Sequence, residues 1–268
     1  MSELYVFIIF IYCIFVMQFD SGLGVYYNNK KHPPISTGDS TLDELLNGGY
    51  RNNLVYLLYG DQNTTTNILL TTSVIVQKAF TNGGLGDGIR VAFIDGNNRF
   101  NPYTISKFAV SKKLSPQKVL ENIIIARAFT WDQMVELLEN RLKKLEDVKV
   151  VLISGITNLF QSYEKQTFED LLRAVNGIKE TLSRSTPLIV ISALLHECSQ
   201  FRPKGGKILS HFGNVLIMIK DEERYTEYSL IQHPFLSENN LKKWKPRKPK
   251  KHLKNNSKNA TLDCWIKS

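Results

Sequence analysis

The sequence has 268 residues, of which 43% are apolar and 22% are charged, and its formal net charge is +9. This length and apolar content are enough to bury one α/β core with an extension at each end, so we expect one main domain. Cys13, Cys198 and Cys264 lie far apart and form no CxxC or His/Cys cluster. This spacing argues against a zinc site or a disulfide framework and favours a reducing cytoplasm.

Residues 1–33 are predicted to be an extension in front of the domain. Within them, residues 4–17 are 14 uncharged residues, which as a helix would reach about 21 Å, against about 30 Å for a hydrocarbon core. Three interpretations remain open: a gene model extended upstream of a true start at Met17, a membrane anchor, or a buried strand. We prefer the first, because the pattern described below needs nothing before about Pro34, so membrane contact is not expected.

Apolar runs and helical patterns alternate over residues 34–238, the predicted core domain. Thr41 and Glu44 form a capping-box pattern that opens a short helix ending at Gly48 and Gly49. We predict strands at 54–59, 90–95, 122–126, 148–153 and 187–192, and helices at 66–80, 104–112, 130–145 and 163–183. This alternation predicts a mainly parallel sheet with helices on both faces. Residues 213–220 and 225–232 predict a closing hairpin at its edge.

The first predicted strand and helix have the layout of a phosphate-binding strand, loop and helix, but lack the residues that hold a phosphate. Gly60 is kept, while Thr65 stands at the second glycine of the loop, Thr66 at its lysine and Asn67 at its metal-binding hydroxyl. Asp61 adds a negative charge where a polyanion would sit, and like charges about 4 Å apart repel by about 4 kcal/mol at an effective dielectric near 20. These residues predict a nucleotide-binding fold without nucleotide chemistry.

Five further segments place this motif in a family. They are ISTGDSTLDELLNGGY (35–50), VAFIDGNNRFNP (91–102), NIIIARAF (122–129), VKVVLISGITNLF (148–160) and GGKILSHFGNVLIMIK (205–220). In this order, residues 35–238 resemble the core of the RecA/RadA recombinase family, most closely the archaeal RadA-type paralogues. The resemblance implies a RecA-like P-loop NTPase core with a C-terminal β-hairpin.

The resemblance also shows where catalytic groups are missing. Asp95 is kept, but Asn97 stands at the family's catalytic glutamate and Ser154 at the aspartate that holds magnesium through water. Ala193 and Leu194 stand at the Asn-Gln pair that senses the γ-phosphate. Phosphoryl transfer depends on positioned charge, so the joint loss predicts an inactive ATPase homologue with a vestigial nucleotide site. We therefore assign no catalytic residue, cofactor or metal.

Two segments are candidates for DNA contact. The resemblance implies that residues 196–207 form a loop facing DNA, in which Arg202, Lys204 and Lys207 contact phosphates and Phe201 stacks against bases. Residues 239–268 are predicted to be a flexible basic tail, because residues 242–258 carry nine Lys/Arg and no acid. Its candidate contacts are Lys242, Lys243, Trp244, Lys245, Arg247, Lys248, Lys250 and Lys251. The alternatives are an ordinary cationic surface loop and a solubilising tail.

Three function hypotheses follow. The preferred one is a non-catalytic recombinase paralogue that assists DNA recombination or repair by binding single-stranded DNA, the active recombinase, or both, within homo- or hetero-oligomers. The second is a divergent KaiC-like ATPase whose nucleotide site is non-standard or shared with a partner subunit. The third makes residues 4–17 an anchor and the domain a membrane-bound scaffold.

Overall fold

The structure is a computed structural model that describes residues 33–160, 165–185, 187–197 and 201–246. The apolar segment 4–17 lies outside the described residues, as do the predicted contacts Arg247, Lys248, Lys250 and Lys251. Among the helices that are described, none has both the length and the apolar character needed to cross a membrane.

The described residues form seven α-helices and eight strands. The helices are α1 (Ser40–Leu45), α2 (Gln62–Ile75), α3 (Pro102–Ser111), α4 (Pro116–Glu121), α5 (Trp131–Glu136), α6 (Lys165–Ser185) and α7 (Gly206–Phe212). α5 continues as a π-helix (Leu137–Arg141) and a 3-10 helix (Leu142–Lys144), and a second 3-10 helix spans Phe80–Asn82. The strands are β1 (Val55–Gly60), β2 (Arg90–Asp95), β3 (Ile123–Arg127), β4 (Val148–Ser154), β5 (Leu188–Ala193), β6 (Val215–Asp221), β7 (Tyr225–Gln232) and β8 (Asn239–Trp244).

Within the described residues, the strands form one sheet in the order β3-β2-β4-β5-β1-β6-β7-β8. Strands β1 to β6 pair in parallel, whereas β6, β7 and β8 pair antiparallel. Alternate residues of β1 enter two separate cores: Tyr56 and Leu58 pack with α1–α4, and Leu57 and Tyr59 pack with α5–α7. The predicted fold class, a mainly parallel sheet with helices on both faces, is confirmed. The carboxyl ends of β1, β2 and β4 meet at one edge, where ligand sites of such sheets lie.

The sheet extends past the predicted end of the domain at residue 238. Residues 239–244 form β8, with Leu241 opposite Tyr228 and Trp244 opposite Tyr225 of β7. The sequence of β8, NNLKKW, does not predict a strand, because Leu241 is its only side chain packed against a core. Its lysines are typical of a strand at the edge of a sheet. The prediction that the flexible tail starts at 239 is therefore corrected, and β8 rather than the predicted hairpin lies at this edge.

A second correction concerns the start of α1. The helix begins at Ser40, and the side chain that caps it is Asp39, not Thr41, because the Asp39 carboxylate accepts hydrogen bonds from the amides of Thr41 and Leu42. The same carboxylate accepts a hydrogen bond from the Tyr228 hydroxyl at 2.9 Å and forms an ion pair with Lys243, whose Nζ lies 2.6 Å away. Burial, with the Asp39 charge adding to it, raises the pKa of Tyr228, so its hydroxyl remains a donor. Asp39 therefore ties α1 to β7 and β8.

The connection between β7 and β8 is expected to depend on pH through His233. Its Nδ1 accepts hydrogen bonds from the amides of Phe235 at 3.0 Å and Leu236 at 3.1 Å, which only an unprotonated nitrogen can do. Burial and the nearby Arg51 lower the pKa of His233. The pKa of His233 in the folded protein is therefore below its unfolded value of about 6.5. The two hydrogen bonds to Nδ1 contribute fully to stability above about pH 6.5, and this contribution is lost as the pH falls through the folded pKa.

The measurement for His233 is thermal unfolding of the wild type and of His233→Asn in a series of buffers below neutral pH. The asparagine oxygen can accept the same two amide bonds without titrating, so we expect its unfolding temperature to fall less with decreasing pH. Parallel curves for the two proteins would contradict this role for His233.

Candidate functional site

The connection from β1 to α2 is a single residue, Asp61. α2 begins at Gln62, four residues earlier than predicted, because the Asp61 carboxylate caps it. This carboxylate accepts hydrogen bonds from the amide of Thr64 at 2.8 Å and from its hydroxyl at 2.7 Å, and the amide of Thr65 donates to the Asp61 carbonyl at 3.0 Å. The residues at the positions of a phosphate-binding loop thus form the first turn of α2. The amides of Thr64 and Thr65 already have hydrogen-bond partners within this turn.

Gly60 has a structural role in this connection. Its φ is +123°, and a Cβ at this position would collide with the carbonyl of Ile219 in the neighbouring strand β6. Glycine is therefore required here by the close approach of two backbones, independently of any phosphate.

Three of the predicted site residues meet at the carboxyl ends of the strands. The Asn97 side-chain nitrogen donates hydrogen bonds to the hydroxyls of Thr66 at 3.4 Å and Ser154 at 3.1 Å. Ser154 is fully buried and Thr66 nearly so. We call Thr66, Asn97 and Ser154 the neutral cluster, because three uncharged side chains occupy positions where the resemblance implies a lysine and two acids.

The remaining residues of the predicted site lie around the neutral cluster in other environments. Thr65 is buried and its hydroxyl donates to the Gln62 carbonyl at 3.2 Å, whereas Asn67 is exposed. Leu194, which with Ala193 stands where the resemblance implies a γ-phosphate sensor, donates from its amide to the Thr157 hydroxyl at 3.2 Å. None of these contacts involves a charged side chain.

Asp95 organises the loop that carries Asn97. Its buried carboxylate accepts hydrogen bonds from the amides of Asn97 and Arg99, both at 3.2 Å, and of Phe100 at 2.9 Å. Arg127 of β3 lies 3.8 Å from its second oxygen. This carboxylate is therefore committed to the backbone of residues 97–100, and no cluster of metal-ligating residues occurs among the residues that the structure describes.

An open cavity of about 500 Å³ lies between the start of α2 and the start of α3. Its lining includes Asn63, Thr66, Arg99 and the exposed ring of Tyr103. The Arg99 guanidinium donates a hydrogen bond to the Asn63 side chain across its mouth. The cavity thus adjoins the neutral cluster, and one cation, Arg99, and two aromatic residues, Phe100 and Tyr103, line it.

The loop predicted to face DNA presents Phe201, Arg202 and Lys207 to solvent, and Phe201 is 62% exposed. The Tyr59 hydroxyl anchors it by donating to the Phe201 carbonyl at 3.0 Å. Burial raises the pKa of Tyr59 to about 12, which keeps this hydroxyl protonated as a donor. Residues 198–200 of the same loop lie outside the described part of the chain.

Lys204 differs from the other cations of this loop. It is only 8% exposed, its ammonium lies 3.8 Å from a carboxylate oxygen of Glu197, and it stands 5.9 Å from the centre of the Phe160 ring. The backbone turns inward here, because the Lys204 amide donates to the Leu194 carbonyl at 2.7 Å. Its ammonium is therefore poorly placed for the phosphate contact predicted from the sequence.

The first four predicted contacts of the tail lie in or beside β8. Lys243 points to Asp39, and Lys245 lies 2.8 Å from Asp221. Hydrogen bonds from Lys245 and Thr226 lower the pKa of Asp221. Lys242 is exposed like these lysines, but its ammonium lies 4.5 Å from the centre of the Tyr225 ring, and Trp244 is 69% exposed.

Comparison with known proteins matches residues 29–168 to the Rad51 family model. The chain belongs to the RecA/RadA recombinase superfamily. It is 33% identical over 211 residues to the DNA repair and recombination protein RadA of Cenarchaeum symbiosum, an alignment covering 72% of this chain and 52% of that protein. It is 27% identical over 202 residues to a meiotic recombination protein DMC1 homolog of Glycine max, covering 69% of this chain and 58% of the relative.

A third relative, the RadA of Ignicoccus hospitalis, is 25% identical over 206 residues, covering 69% of this chain and 62% of that protein. The chain therefore spans between half and two thirds of the length of these superfamily members. The resemblance to the RecA/RadA recombinases found in the sequence is confirmed at the level of the superfamily.

Proposed function

We propose that this chain is a recombinase paralogue that acts in DNA recombination or repair without hydrolysing ATP, by binding single-stranded DNA and a recombinase subunit. The observation that carries the proposal is the neutral cluster. Phosphoryl transfer requires positioned charges around the phosphates, and Thr66, Asn97 and Ser154 supply none. The relatives named for recombination and repair support the broader role, and the scattered cysteines favour a cytoplasmic location.

The start of α2 supports the same proposal. A polyphosphate is held by backbone amides that point into an open loop and by a lysine. Here the amides of Thr64 and Thr65 bond to Asp61, whose carboxylate lies at the helix start. Binding of a nucleotide in the usual mode would require unwinding the first turn of α2.

A partner subunit is proposed at the other edge of the sheet. Among the residues that the structure describes, β3 pairs with β2 on one side and with no strand on the other, and its Ile125 is 39% exposed. Phe129, just beyond the strand, is also exposed. An unpaired strand edge flanked by exposed apolar side chains is suited to receive a strand of another chain.

The test is binding of the full-length protein to an oligothymidylate and to a RadA-type recombinase. We expect affinity for the oligonucleotide that decreases as salt increases, pull-down of the recombinase, and no ATP turnover with or without DNA. A protein with no DNA affinity at low salt and no pull-down would contradict the proposal.

A second candidate function is a nucleotide-binding ATPase with a non-standard or shared site. The cavity of about 500 Å³ beside Thr66 favours it, because Arg99 and the exposed Tyr103 offer a cation and a ring. Turnover that requires a second subunit, and that is lost in Arg99→Ala, would support this candidate over the first.

A further inference from the structure

We propose that the loop carrying Phe201 and one face of strands β6–β8 form a single binding surface for single-stranded DNA. We call this surface the aromatic-lysine face and define it as Phe201, Lys220, Tyr225, Lys242 and Trp244. The inference rests on the proposed DNA binding and deepens it: two groups of contacts that are about forty residues apart in the sequence become parts of one continuous site.

The strand register places the lysines on the same face. Lys220 of β6 lies opposite Glu227 of β7, which lies opposite Lys242 of β8. Directly opposed residues project to the same side of a sheet, and neighbouring strands lie about 4.8 Å apart. The two lysines are therefore about 10 Å apart across two strand spacings, with Glu227 as the acid between them.

Rings and cations alternate along this face. Lys220 Nζ is 5.4 Å from the centre of the Phe201 ring, and Lys242 Nζ is 4.5 Å from the centre of the Tyr225 ring. The Tyr225 and Trp244 rings pack edge to face with centres 5.4 Å apart. These contacts hold the rings in place before a ligand arrives, which reduces the entropy lost on binding.

The face is open in the described structure. Along β6, Leu216 and Met218 are buried in the core that contains α6 and α7, but Lys220 lies beyond that cover. On β8, Asn240, Lys242 and Trp244 are exposed, whereas Leu241 packs against the opposite core. Exposed rings on an open sheet face are the arrangement that stacks bases in several single-strand binding folds.

Charge favours a nucleic acid as the occupant. Arg202 and Lys207 lie at the Phe201 end, and at the Trp244 end the chain leads directly into the basic segment that follows Lys245. Phosphates can contact the cations while bases stack on the rings between them. An acidic polypeptide would pair with the cations but has no bases to stack on the rings.

The test compares two adjacent lysines on opposite faces of β8 by fluorescence anisotropy of a labelled oligothymidylate. Lys242→Gln and Lys243→Gln remove the same charge from the same strand, but Lys243 points to Asp39. We expect Lys242→Gln to weaken binding roughly 3- to 10-fold at low salt and to reduce the salt slope by about 0.7. The DNA affinity of Lys243→Gln should lie within about twofold of the wild-type affinity, because Lys243 is expected to contact no phosphate.

Three other variants extend the test. Phe201→Leu and Trp244→Leu should each weaken binding about 5- to 50-fold through loss of stacking, and Glu227→Gln should strengthen it. In a Trp265→Phe background, DNA should quench the emission of Trp244, since Trp131 is buried. Thermal unfolding of each variant checks that the fold is retained.

The outcomes separate this inference from the function on which it rests. A wild-type protein that does not bind DNA contradicts the proposed DNA binding itself. A wild-type protein that binds DNA, with unchanged affinity in Lys242→Gln, Phe201→Leu and Trp244→Leu, overturns only the aromatic-lysine face. Equal losses in Lys242→Gln and Lys243→Gln, or displacement of DNA by polyglutamate at similar charge concentration, would overturn it as well.

Discussion

We expect the Ser154→Asp variant to lose about 3 kcal/mol or more of its free energy of unfolding, because it buries a carboxylate in a site without a cation. Ser154 is fully buried and its hydroxyl accepts a hydrogen bond from Asn97. Thr66→Lys should cost less, about 2 kcal/mol, since a lysine can extend into the adjoining cavity although it overfills the cluster.

The double variant Thr66→Lys/Ser154→Asp tests whether positions 66 and 154 are close enough to hold a pair of opposite charges. Both positions bond to the same Asn97 nitrogen, so the new charges would be close enough to pair. We expect a favourable coupling energy of about 1–3 kcal/mol in a denaturant double-mutant cycle. Asn67→Lys, on the exposed side of the same helix, is the matched control and should show no coupling to Ser154→Asp. Additive effects in both cycles would contradict this account of the cluster.

Replacing Asp95 by alanine is expected to lower the free energy of unfolding by about 3 kcal/mol or more. Its buried carboxylate accepts hydrogen bonds from three backbone amides, those of Asn97, Arg99 and Phe100. The variant leaves all three donors without this partner, and urea unfolding measures the loss.

The controls for Asp95 separate a structural role from a general effect of charge. Asp95→Asn keeps an oxygen for some of the amides and should be intermediate in stability. Asp87→Ala removes the same charge from an exposed loop and should change stability by less than about 0.5 kcal/mol. Equal stability of Asp95→Ala and Asp87→Ala would show that the loop of residues 97–100 does not depend on this carboxylate.

The inner strands β1, β2, β4 and β5 could be predicted from the sequence because burial on both sheet faces leaves continuous apolar runs, and the edge strand β3 keeps such a run although Ile125 is exposed. β1 to β5 lie within one residue of their predicted limits, and the alternation of strands with helices was enough for the fold class. α4 and α7 were not predicted, because helices of six or seven residues carry little periodic pattern and, unlike α1, neither has a side chain that caps its start.

The start of α2 shows how a resemblance can hide a local signal. Asp61 followed by Thr64 is a good helix N-cap pattern, but the family pattern favoured a phosphate loop at these positions. In the structure the capping hydrogen bonds form, and the helix begins at Gln62.

The residues of the neutral cluster could be predicted from the sequence, whereas those of the aromatic-lysine face could be predicted only in part. Thr66, Asn97 and Ser154 could be named because each stands where the motifs of the family have a charged residue. Lys220 and Tyr225 were not assigned a function, because Lys242, which contacts the Tyr225 ring and shares a sheet face with Lys220, lies on β8, whose polar sequence gives no strand pattern. The inward position of Lys204 likewise depends on a loop contact, to the Leu194 carbonyl, that no sequence period encodes.

Isothermal titration of the purified full-length protein with ATP and magnesium, followed by oligothymidylate, tests most directly whether the scaffold has been kept without its nucleotide chemistry. The account predicts no saturable heat with ATP up to millimolar concentrations and a saturable signal with the oligonucleotide. Micromolar affinity for ATP that is lost in a variant of the neutral cluster, accompanied by hydrolysis, would contradict it.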